Sequence, residues 1–237
     1  MSDTTFDITF RLERPELPTV EQQYENLWRF AKAFVRAGLP ITDWYPPAST
    51  VEASTMNRAF SDTGPTTAAL AMARADKETY PSIRGLGAWN GIEGYGGIVM
   101  TDLLSTTGLC TCKVDADIPG LNDVQTLISV VTDVIDIWSP SSIQVGPYKY
   151  FTQKQVFENR LGVGWMLYLP RVLSVGNVPE ARALIPVMND KKKQKGTIVV
   201  SVADEAFDVN NPSHVEIANS IEIRLVNQDM LPHFTDL

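Results

Sequence analysis

The chain has 237 residues, 44% of them hydrophobic and 20% charged, with 28 acidic against 20 basic side chains and a formal net charge of −8. A chain of this length buries roughly 70–75% of its unfolded surface, so a core needs no disulfide or metal to hold it. The acidic surplus speaks against a nucleic-acid binder, which carries an excess of Lys and Arg, while two His and two Cys leave little for metal sites or His-dependent catalysis.

Residues 5–12 alternate, with Phe6, Ile8, Phe10 and Leu12 on one side, which predicts a half-buried strand ended by Pro15 and Pro18. Thr19 is placed to cap a helix running to about Ala37, with Gly38 just past its end. A second helix is expected from Gly64-Pro65 to about Lys77, with Pro in its first turn. Strands are expected over 85–89, 97–101 and 109–114. Residues 122–138 give the clearest helix: Val124, Leu127, Val131, Val134, Ile135 and Trp138 share one half, Asp133 and Asp136 the other, so the helix covers a sheet. Strands follow over 142–145, 163–169 and 197–202, with Lys191–Gly196 a polar connector. A last helix opens at Asn211-Pro212-Ser213 and runs to about Asn227. Strands in runs between separated helices indicate an α+β fold, a mainly antiparallel sheet with helices packed on it, in one domain over residues 1–237.

The N-terminus lacks the basic start and apolar run of a secretory signal. No stretch approaches the ~18 apolar residues of a membrane span. A cytoplasmic protein without cofactor or metal is the expectation. Cys110 and Cys112 fall on one face of a strand as half-buried small residues. The Gly-rich stretch over 85–97 lacks the Gly-Lys-Ser/Thr ending of a phosphate loop, and its glycines are mis-spaced for a dinucleotide fingerprint. Trp89 reads as a core residue or, with Asn90, Glu93 and Tyr95, as part of a binding loop. No nucleophile elbow is present, and His214 reads as a capping or surface residue.

Glu222 falls inside the apolar arc of the last helix with Ile221, Leu225 and Val226, so its carboxylate is desolvated and needs a partner. The structural reading is a buried ion pair with Arg171 or Arg11. The catalytic one is a carboxylate-dependent hydrolase using Glu222 with Asp115, which requires both in one concave pocket. The charge is also unevenly laid out: residues 101–147 balance at −5, residues 148–195 at +6 and residues 196–237 at −6. Two acidic segments sharing a face would steer a basic protein toward it.

Several segments resemble the immunity protein 52 family of bacterial polymorphic toxin systems. They are Trp44-Tyr45, Ala88-Trp89-Asn90-Gly91, Gly164-Trp165-Met166-Leu167-Tyr168-Leu169-Pro170, the stretch 207–215 with Phe207, Asn211-Pro212 and His214, and Ile221-Glu222-Ile223-Arg224-Leu225. The resemblance implies a non-enzymatic cytoplasmic protein that binds and neutralises a cognate toxin. For this family the toxins include nucleases of the restriction-endonuclease fold, so the expected partner is a DNase-type toxin delivered by type VI secretion. It supplies no catalytic residues to carry over. The contact residues expected are Glu93 and Tyr95 on the Gly-rich loop and Asp133 and Asp136 on the solvent face of the helix over 122–138. An adaptor or chaperone carrying an effector to its secretion apparatus is the other binding-class reading.

Overall fold

The structure, a computed structural model, describes residues 4–12, 16–75, 82–92, 97–104 and 106–237. Its strands are β1 (Thr4–Arg11), β2 (Phe60–Ser61), β3 (Gly64–Pro65), β4 (Ile83–Trp89), β5 (Gly97–Leu104), β6 (Leu109–Ala116), β7 (Ser142–Pro147), β8 (Met166–Leu169), β9 (Ala183–Met188) and β10 (Gln194–Val200). The helices are α1 (Val20–Phe34), α2 (Val51–Thr55), α3 (Thr67–Ala75), α4 (Val124–Trp138), α5 (Tyr148–Gln153) and α6 (Pro212–Asn227). Eight strands form one sheet in the order β4-β5-β6-β1-β7-β8-β10-β9, every neighbouring pair antiparallel. This is the α+β class that the pattern of elements predicts.

Period-two alternation in β1 sends Phe6, Ile8 and Phe10 to one face, where α1 and α4 bury them. Phe6 meets Phe34 at 5.7 Å between ring centroids, and Phe10 stacks on Trp138 at 5.8 Å. Thr19 caps α1 as the sequence predicts, in a reciprocal capping box with Gln22, and on α4 the Asp123 carboxylate accepts from the Thr126 amide at 2.7 Å. Gly38 ends the first helical run at φ +95°, the left-handed turn for which glycine suits this position.

The opposite face is divided. Along β8 and β10 it is covered as well, with Leu167 and Val199 fully buried. Along β5 and β6 it is polar and open, with Asp102, Lys113 and Asp115 exposed.

Several boundaries differ from expectation. Gly64-Pro65 forms β3 of a small hairpin rather than a first helical turn, and Thr66 instead caps α3 by accepting from the Ala69 amide at 3.1 Å. The strand expected over 163–169 starts only at Met166, because Gly164 turns left-handed at φ +52°. The connector before β10 is a tight turn in which Asn189 Oδ1 accepts from the amides of Lys191 and Lys193. The Cys110 and Cys112 side chains are fully rather than half buried, and burial pushes both thiols above their ordinary pKa.

Candidate functional site

Glu222 is completely buried, as its place on the helical wheel predicts, but its partners are not arginines. Oε1 accepts from the Tyr150 hydroxyl at 2.6 Å and the Val163 amide at 2.9 Å, and Oε2 accepts from the Val156 amide at 2.8 Å. The expected ion pair is therefore corrected: Arg171 donates to the Asp229 carbonyl and Arg11 to those of Leu237 and Thr107. Three short donors satisfy both oxygens of the carboxylate without bringing in a second charge that would itself need desolvation. Burial raises the Glu222 pKa above its ordinary value, and the hydroxyl and the two amides oppose that shift. Asp115 does not join it: it is exposed on β6 and lines a cleft in which Glu222 has no part. The concave pocket that the hydrolase reading requires of this pair is thus not formed.

His214 is likewise buried rather than on the surface. Its Nδ1 accepts from the Asp208 amide at 3.0 Å, and its Nε2 lies 3.2 Å from Glu205. Trp89 is half-buried at the end of β4 and donates its indole N–H to Ser54 Oγ at 2.7 Å. Among the described residues no group of three or more His, Cys, Asp or Glu is placed to hold a metal ion. Nor is any helix long and apolar enough to cross a membrane.

Of the four expected contact residues, Glu93 and Tyr95 lie outside the described residues. Asp133 and Asp136 stand on the exposed side of α4, as expected, but each has a basic neighbour. Asp133 meets Arg36 at 2.8 Å and Asp136 meets Lys195 at 3.1 Å. Lys195 comes from the basic run, so part of the +6 segment folds back onto the −5 one. These pairs are solvent-exposed, which screens them and leaves much of the carboxylate field facing outward.

A second acidic surface was not foreseen. Where the open half of the sheet meets α5, a cleft of about 280 Å³ is lined by Asp7, Lys113, Asp115, Gln144, Phe151 and Glu158, with Tyr148 and Phe234 beside them. Tyr148 and Phe234 are 66% and 43% exposed, large aromatics of the kind that anchor protein interfaces. Burial lifts the Asp7 carboxyl above its ordinary pKa, an effect that the Lys113 charge opposes. The one signal in the sequence was the polar phase of 5–12: Asp7 and Thr9 point away from the helices, so this face of β1 is polar. Which residues join it depends on strand order, which periodicity does not carry.

No curated protein matches the sequence. Among solved structures the chain is similar to the Pseudomonas aeruginosa T6SS protein PA0821, with a TM-score of 0.55 at 10% identity over 92% of this chain and 76% of that one. At that identity the likeness is one of fold. The family model for immunity protein 52 matches residues 40–233, which takes in every motif that carried the resemblance. The chain belongs to the immunity protein 52 family.

Proposed function

We propose that this protein binds and neutralises a nuclease toxin of the restriction-endonuclease fold delivered by a type VI secretion system. It acts in the cytoplasm by forming a protein–protein complex and performs no chemistry of its own. The observation that carries the reading is the family match over residues 40–233. Three further features support it. A nuclease presents a cationic groove and metal-holding carboxylates to its substrate, and a protein of net charge −8 is drawn to such a groove. The similar solved fold is that of a protein described as a T6SS protein. The quoted motifs also resemble those of the immunity protein paired with the type VI effector TseT.

The deciding experiment is rescue. Cells expressing the toxin encoded beside this gene are expected to survive when the chain is co-expressed and to die without it. Death in both cases ends the proposal. The adaptor reading differs in outcome, because loss of an adaptor lowers effector secretion whereas loss of an immunity protein lets siblings be poisoned.

We place Asp133 and Asp136 on the toxin-facing side, with Glu93 and Tyr95 as further contacts. Replacing both aspartates by Lys is expected to slow toxin association on the order of tenfold at low salt and to flatten its salt dependence. Stopped-flow association at several ionic strengths checks this, and an unchanged on-rate removes α4 from the interface. Stability should hardly move, since exposed ion pairs contribute about 0–1 kcal/mol each.

A further inference from the structure

A larger cleft lies elsewhere, on the helix-covered side of the sheet where β1 ends, α1 begins and α4 stops. It measures about 980 Å³, at the upper end of the roughly 300–1,000 Å³ that ligand pockets span, so it suits a chain segment rather than an ion. Its floor is apolar, built from Phe10, Leu103 and Trp138. Its rim is acidic: Glu16, Glu21 and Glu25 line it, with Arg11 as the single basic residue among the described residues of the lining.

Two of these charges are already engaged. Arg74 hydrogen-bonds Glu21 and holds its carboxyl down at about 2, while Arg11 is occupied by the carbonyls of Leu237 and Thr107. Glu16 and Glu25 have no basic partner among the described residues. An independent feature points the same way. Gln23, only 3% exposed, donates through Nε2 to Thr101 Oγ1 at 2.8 Å, and its Oε1 is buried in the groove lining with no donor among the described residues. An acceptor left buried in this way costs about 1–3 kcal/mol until a donor reaches it.

We infer that this groove receives a basic, amphipathic segment of a partner protein, an extended stretch in which Lys or Arg alternates with aliphatic residues. The aliphatic side chains cover Phe10, Leu103 and Trp138. The cations meet Glu16 and Glu25, and an N–H from the segment completes Gln23. An acidic or phosphorylated ligand finds no free cation among the described residues of the lining, where Arg11 is spent on carbonyls. The inference rests on the immunity reading only for which protein carries the segment, namely the toxin.

The test uses the full chain and a labelled short peptide of alternating Lys and Leu, with a counterpart carrying Glu at every Lys position, followed by fluorescence anisotropy. Binding of the Lys peptide is expected, weakening with added salt, with none for the Glu peptide. Glu16→Lys with Glu25→Lys should lower affinity by about tenfold or more. Gln23→Leu should lower it several-fold. Both glutamates are exposed, so the double variant is expected to melt with the wild type, which thermal unfolding verifies. Equal binding of the two peptides, or an unchanged affinity in the double variant, overturns the inference. The toxin-rescue assay separates the two proposals. If the wild type and the double variant protect equally, the groove is not the toxin's docking site. If the wild type fails to protect, the immunity reading falls while the peptide titration still decides the groove.

Discussion

Glu222→Ala is expected to lower the stability of the protein by about 3–5 kcal/mol, the range found when one member of a buried polar network is removed. The substitution strands the Tyr150 hydroxyl and the amides of Val156 and Val163 in a dry interior, where each unmet donor costs about 1–3 kcal/mol. It also opens a cavity against α6. Removing a desolvated charge offsets part of the loss, which is why the total stays below the sum of the separate penalties. For a chain of this size each kcal/mol moves the midpoint by roughly 2–4 °C, so a fall of about 6–20 °C should appear in a thermal melt. Glu222→Gln tests the same site more finely. Its amide keeps one acceptor for Tyr150 and Val163 but turns a donor toward the Val156 amide, at a cost of about 1–3 kcal/mol. Because the folded pKa of Glu222 is raised, its contribution is fully present below the unfolded value of 4.5 and is lost as pH rises through the folded value. The gap between wild type and Glu222→Gln should therefore be widest in acid and narrow toward neutrality. A gap that widens with pH, or an alanine variant that melts with the wild type, contradicts this account of the buried carboxylate.

Gly120→Ala is the second large expected effect, for a purely steric reason. A Cβ at residue 120 would collide with the Ala37 carbonyl oxygen and lie 2.6 Å from its carbonyl carbon. Both are backbone atoms, so no rotamer change relieves the clash, and the turn at Pro119–Asn122 must part from the end of the first helical run. Overpacking of this kind costs about 1–3 kcal/mol, and a backbone-to-backbone collision belongs at the upper end. A drop of roughly 6–12 °C is expected. Neither substitution touches the acidic groove or the exposed side of α4. Any loss of toxin protection in these variants should follow the fraction folded and recover when the cells are grown cooler.

The sequence disclosed elements whose signals are local and hid those set by distant partners. α1 and α6 were legible because Thr19 and Asn211 stand where caps are needed, and α4 because its apolar positions recur at helical spacing. β9 escaped because Ala183–Met188 carries Pro186 and shows no alternation, and α5 because six residues hold too few turns to display a period. The burial of Glu222 could be read from its own helix. Its partners could not, because the donors lie at residues 150, 156 and 163, on α5 and in the irregular chain leading to β8. The same holds for both clefts. Glu16 and Glu25 look like ordinary solvated residues until strand order brings Leu103 and Trp138 beneath them.

The place of β1 has a consequence for how the protein is made. β4, β5 and β6 form a meander of neighbouring segments, and β7 to β10 form the other part of the sheet in the order β7-β8-β10-β9, whereas β1 lies between them and joins the two. Its first residue pairs with Ala116 on one side and with Pro147 on the other. The earliest strand synthesised must therefore wait until both later partners have left the ribosome, a long-range closure that slows folding. During that wait β6 and β7 each present a bare edge, the condition under which strands of neighbouring chains pair wrongly. Protection of a newly exposed cell would then lag behind translation by the time β1 needs to insert.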